Sequence, residues 1–143
     1  MLRIITPVAN PVRHTSPLFV ECCQAGFPSP AADYTTSELD LNDYCIRHPS
    51  ATFFVRALGD SMNDMGLHSG DLMIVDKSER AVHGDIVIAE IDGEFTVKQL
   101  LLKPRIALQP MNTAYPTLYP DPEHLQIFGV VTAFIHKTRG GDL

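Results

Sequence analysis

The stretch from Ile86 to Lys98 constrains the fold more than any other part of the chain. Two apolar, β-branched runs, Ile86 to Ile91 and Glu94 to Lys98, flank the dipeptide Asp92-Gly93. Asp-Gly tolerates the positive φ that a type I′ turn requires at both central positions, so the stretch reads as a β-hairpin. Counting outward from the turn sets Ile91 opposite Glu94, Ala89 opposite Thr96 and Val87 opposite Lys98. Side chains alternate between the faces of a strand, so Lys98 shares its face with Val87, Ala89, Thr96 and Leu100. The hairpin therefore puts a cation on a largely apolar surface.

Beyond Pro49 the same texture continues, with short apolar runs separated by Gly and Asp punctuation. Strands are expected over Thr52 to Leu58, Leu72 to Asp76, Asp85 to Ile91, Glu94 to Leu102, Arg105 to Gln109 and Gln126 to Ile135. No long amphipathic helix competes with them, so the expected architecture is mostly β, a compact barrel-like or sandwich domain over residues 31–143. Residues 1–30 show neither apolar period and carry prolines every few residues, which marks an extended, largely irregular N-terminal arm. One helical turn is expected from Ser37 to Asn42, stopped by Pro49. The tail from Thr138 to Leu143 is expected to fray.

At 143 residues the chain is long enough for one core without disulfides or metal. Its 11 Lys plus Arg against 17 Asp plus Glu give a net charge of −6, which argues against direct nucleic-acid binding and against anionic membrane surfaces. The longest apolar candidate, Ile127 to Ile135, falls well short of the ~20 residues of a spanning helix. The adjacent Cys22 and Cys23 and the separate Cys45 form no bridge framework, so a reduced, cytoplasmic location is expected. Pro7, Pro11 and Pro17 break the N-terminal segment, and Arg13 and Glu21 put charge where a secretory signal needs an apolar run.

Lys98 has two readings. In the ordinary one its stem lies on apolar surface and its ammonium reaches water. In the other, burial lowers its pKa from about 10.4 and makes the amine an available base. Such a base needs a nucleophile, and Ser61 in Gly59-Asp60-Ser61-Met62 follows the first body strand, at a turn whose free N–H groups suit an oxyanion. Taken alone, Ser61 reads as an ordinary turn or N-cap serine. Together the two residues suggest a Ser/Lys dyad.

Several segments resemble the LexA/UmuD family of self-cleaving serine peptidases. They are Gly26 to Tyr34, His48 to Thr52, Gly59 to Met62, Gly70 to Leu72, His83 to Ile88, Asp92 to Lys98, Pro110 to Asn112 and Phe128 to Val130. The resemblance runs from about Pro17 to Val131. It implies that Ser61 is the nucleophile, Lys98 the general base, and the Ala25–Gly26 bond the scissile one, with the backbone N–H groups of Ser61 and Met62 holding the oxyanion. UmuD-type members commonly have Cys-Gly at the cut, whereas the Ala-Gly pair here matches LexA-type members. A small residue followed by Gly lets the backbone bend past the dyad without steric penalty. The resemblance further implies activation by the RecA filament on single-stranded DNA, a homodimer, and a trimmed form that serves as subunit of an error-prone translesion polymerase with a UmuC-type partner. With only 25 residues ahead of the cut, no DNA-reading domain is expected there. Arg3 and Arg13 against Glu21 make residues 1–25 net +1, so from a total of −6 the trimmed body is left with −7.

A rival enzyme is a Gly-Asp-Ser esterase using Ser61, Asp121 and His124, since Asp121-Pro122-Glu123-His124 supplies an Asp-x-x-His. A non-enzymatic interaction module is the remaining alternative. His14, His48, His68, His83, His124 and His136 lack ligand spacing, so no metal or other cofactor is expected. Asp71, Asp76 and Asp85 read as turn and strand-end residues. Cys22, Cys23 and Cys45 are assigned no chemistry.

Overall fold

The computed structural model describes residues 3–19 and 36–140, which fall into two compact units. The larger, Met1–Pro7 with His48–Leu143, is built on one seven-stranded antiparallel sheet. Its strands are β1 (Arg3–Ile5), β4 (Thr52–Arg56), β5 (Leu72–Asp76), β6 (Ile86–Ile91), β7 (Glu94–Leu101), β8 (Ala107–Gln109) and β9 (Leu125–Ile135). They are ordered β1-β4-β5-β9-β6-β7-β8. The smaller unit, Val8–Arg47, pairs β2 (Ser16–Phe19) with β3 (Thr36–Leu39) and adds one short helix, α1 (Leu41–Cys45).

The hairpin forms in the expected register, with Ile91 opposite Glu94, Ala89 opposite Thr96 and Val87 opposite Lys98. Asp92 and Gly93 carry φ of 52° and 85°, both positive as a type I′ turn demands. The long strand β9 joins the two halves of the sheet, pairing β5 on one side and β6 on the other.

Apolar side chains are buried on both faces of β6. Ile88 packs with Val55, Met73, Val75 and Val97, while Val87 and Ala89 pack with Leu100, Leu108 and Val130. Each of the larger side chains, Val, Ile, Leu or Met, contributes about 1.5–3 kcal/mol by leaving water. Double-sided burial explains the continuous apolar run Ile86 to Ala89.

Two details near the N-terminus differ from expectation. The extended, largely irregular arm carries two short strands, β1 in the main sheet and β2 in a two-stranded ribbon. The helix begins at Leu41 and not at Ser37, because Ser37 to Leu39 pair with Ser16 to Leu18. Asp40 then caps the helix, accepting from the N–H groups of Asn42 and Asp43. Asp40 also accepts from His14 N–H, and Arg13 forms an ion pair with Asp43. Residues 20–35 and 141–143 lie outside the described residues, and with them Cys22, Cys23, Ala25 and Gly26.

Candidate active site

Ser61 is delivered by the turn that follows β4. Ala57 N–H donates to Asp71 O at 2.9 Å and Gly70 N–H to Ala57 O at 2.8 Å, which ties together the two ends of the intervening loop. Met62 and Leu67, each 2% exposed, sink into the core cluster around Val55 and Ile88 and anchor the loop from within. Asn63 N–H closes the turn onto Asp60 O, and a 3₁₀ turn over Asn63–Met65 follows. Among the described residues no acceptor meets the N–H of Ser61 or Met62.

Lys98 arrives from β7. The residue is only 9% exposed, so the reading of an ammonium reaching freely into water fails. Its Nζ lies 3.1 Å from Ser61 Oγ, 2.6 Å from Thr96 Oγ1 and 3.1 Å from Val97 O. Desolvation lowers its pKa from the ordinary lysine value. With the amine neutral, its two N–H groups are occupied by Thr96 and Val97, and the lone pair is left for the Ser61 hydroxyl. The i, i+2 relation of Thr96 and Lys98 puts both on one strand face, so the hydroxyl that holds the amine was within reach of the same counting that placed the lysine.

A second loop holds the serine turn from outside. Asn112 Nδ2 donates to Asp60 O at 2.8 Å, the Tyr115 hydroxyl donates to the Asp60 carboxylate, and Asp64 N–H donates to Met111 O at 2.7 Å. Hydrogen bonding to Asp60 raises the Tyr115 pKa, so the phenol stays a donor across the neutral range. These contacts bracket Ser61 on both sides. Asn112→Ala removes one of them at a cost of about 1 kcal/mol. Self-cleavage should then slow about fivefold with the fold intact, as read by gel densitometry and circular dichroism.

The esterase residues are not assembled. Asp121 accepts from Glu123 N–H at the start of a 3₁₀ turn, and His124 Nδ1 lies 3.7 Å from Asp92 at the hairpin tip. The partner of Ser61 Oγ is Lys98. The histidines are less scattered than their spacing implies. His48 Nδ1 lies 2.6 Å from Asp76, with Glu79 at 3.9 Å, and the three offer ligand atoms within 4.8 Å of one another. Asp76 also accepts from Ser78 N–H and Oγ, so its oxygens are committed within the protein. Burial raises its carboxyl pKa, but the bonds from Ser78 and His48 outweigh that and leave it lowered. Asp71, 4% exposed, pairs likewise with His136 at 2.6 Å and accepts from His68 N–H. Both aspartates stand at strand ends as expected, but buried and paired.

Residues 17–132 match the model of the family described as peptidase S24-like. Protein SamA of Salmonella typhimurium is 73% identical over 142 residues, covering 99% of this chain and 100% of that protein. Protein ImpA of Escherichia coli is 62% identical over 128 residues, 88% of this chain and 87% of that protein. The LexA repressor of Shewanella woodyi is 35% identical over 121 residues, 82% of this chain and 57% of the repressor. A buried lysine against a turn serine on a β scaffold, and likeness of this extent, lead to one conclusion: the chain belongs to the peptidase S24-like family, the self-cleaving serine peptidases of LexA and UmuD type.

Proposed function

We propose that this serine peptidase cuts its own chain between Ala25 and Gly26, with Ser61 as nucleophile and Lys98 as general base. The observation that carries the reading is the 3.1 Å approach of a buried, solvent-shielded Lys98 Nζ to Ser61 Oγ. Neutral Lys98 takes the hydroxyl proton as Ser61 attacks the Ala25 carbonyl. The N–H groups of Ser61 and Met62, which meet no acceptor among the described residues, hold the oxyanion. Lys98 then protonates the leaving Gly26 amine, and water releases residues 1–25 from the acyl-enzyme.

The family likeness supports a role in the SOS response: cleavage stimulated by the RecA filament, followed by service of the trimmed homodimer as a subunit of an error-prone polymerase with a UmuC-type partner in the cytoplasm. No helix among the described residues is long and apolar enough to cross a membrane. The test is incubation of the purified chain at alkaline pH, with the products weighed by mass spectrometry. Fragments 1–25 and 26–143 support the reading, and RecA with single-stranded DNA and nucleotide should bring the same cut to neutral pH. A chain that stays whole, or a cut lost in His124→Ala but kept in Lys98→Ala, contradicts it.

A further inference from the structure

An oxyanion site needs more than free N–H groups; it needs them aimed. The Asp60–Ser61 peptide is trans, so its C=O and its N–H point in opposite directions. Whatever fixes the Asp60 carbonyl therefore fixes the direction of the Ser61 N–H. Two donors meet that carbonyl, Asn112 Nδ2 at 2.8 Å and Asn63 N–H at 3.2 Å, which uses both of its lone pairs. The N–H on the other side of the same peptide meets no acceptor among the described residues.

The Asn112 side chain is itself held in place. Its Oδ1 accepts from Ala114 N–H at 3.0 Å, and its backbone O accepts from Tyr115 N–H at 3.1 Å. These neighbours fix which way the amide points, since a flipped amide would set donor against donor at Ala114 and acceptor against acceptor at Asp60. Met111, the residue before it, packs on the core cluster and accepts from Asp64 N–H at 2.7 Å, which ties the loop to the body beside the side chain that reaches Asp60. We propose that Asn112 is a positioning residue for the oxyanion site: by holding the Asp60 carbonyl, it aims the Ser61 N–H at the oxygen of the bond being cut. Tyr115 grips the Asp60 carboxylate only and has no hold on that peptide plane. The inference rests on the Ser61 and Lys98 chemistry proposed above, and adds the group that sets the direction of one oxyanion donor.

Three variants separate this role from mere support of the loop: Asn112→Ala, Asn112→Asp and Tyr115→Phe. The Asn112→Asp carboxylate keeps an acceptor for Ala114 N–H but sets an oxygen without a proton against the Asp60 carbonyl. Self-cleavage is followed across pH to its alkaline plateau. A change in Lys98 protonation then reads as a displaced midpoint, and a misaimed donor as a lowered plateau. Plateaus should fall about fivefold in Asn112→Ala, at least about thirtyfold in Asn112→Asp and less than about twofold in Tyr115→Phe, with circular dichroism unchanged. The Asn112→Ala midpoint should stay at that of the unaltered chain. An Asn112→Asp plateau no lower than that of Asn112→Ala, a Tyr115→Phe plateau that falls as far, or a midpoint that moves while the plateau holds overturns the role. The second measurement is the NMR shift of the residue-61 amide in full-length Ser61→Ala, which should move when either Asn112 substitution is added and stay when Tyr115→Phe is added. An amide signal that ignores both Asn112 substitutions overturns the role as well. If the unaltered chain never cleaves, the dyad reading falls, and the amide shift alone decides whether Asn112 sets that peptide.

Discussion

Ser61→Ala and Lys98→Met should each lower the rate of self-cleavage at least ~10³-fold, and the double variant should be no slower than either alone. A nucleophile and the base that activates it act as one unit, so once either is gone the other has nothing left to contribute. The 3.1 Å contact between them is what makes them a unit here. Rates from gel densitometry at several alkaline pH values give the result, and two additive losses would mean that the residues act separately. Lys98→Met also carries a stability signature with a defined sign. Burial places the folded-state pKa of Lys98 below its unfolded value of about 10.4. Lys98 therefore costs the folded state least above the unfolded value. The cost grows as pH falls from there to the lowered pKa, by about 1.4 kcal/mol for every pH unit that separates the two values. The methionine variant should accordingly be the more stable chain at pH 7, with the gap narrowing as pH rises from the lowered pKa towards about 10.4, as measured by urea midpoints.

Gly129→Val should destabilise the protein by about 3 kcal/mol. Gly129 sits in β9 opposite Ile88, beside the register shift that β9 makes against β6 between Ile88 and Ala89. A Cβ there would lie 2.6 Å from Val75 Cγ1 and 3.2 Å from Asp76 O. Val75 is fully buried and Asp76 O is backbone, so neither neighbour has room to retreat. The strand that joins the two halves of the sheet would have to move. Adding Val75→Ala should return part of the loss, because it removes the nearest clashing atom, and that non-additive recovery distinguishes overpacking from a general dislike of valine at a bulge. A shift in the urea midpoint worth less than about 0.5 kcal/mol would show that β9 adjusts freely.

The body strands and the face of Lys98 were readable because both depend on local counting. An Asp-Gly turn fixes the register, and a period of two then fixes the face. Strand ends were less so: β4 stops at Arg56 and not at Leu58, because Ala57 N–H turns to Asp71 O. Strand β1 had no readable signal, since three residues are too few to show a period and their partners in β4 lie far along the chain. Pro17 argued against a strand, yet it lies in a two-stranded ribbon, where one side of each strand needs no partner. Likewise the grip of Asn112 and Tyr115 on Asp60 spans 52 and 55 residues. The pairs His48–Asp76 and His136–Asp71 span 28 and 65. Such contacts are made by the fold, not by spacing along the chain.

The most direct measurement is the titration of the Lys98 side chain itself, followed by NMR with labelled lysine in full-length Ser61→Ala, where no cleavage disturbs the sample. The predicted result is a side-chain signal, missing from the Lys98→Met spectrum, that titrates well below about 10.4 and at the same pH at which the cleavage rate of the unaltered chain levels off. An amine that keeps its proton up to the ordinary lysine value, while cleavage proceeds unhindered at lower pH, would contradict the assignment of Lys98 as the base.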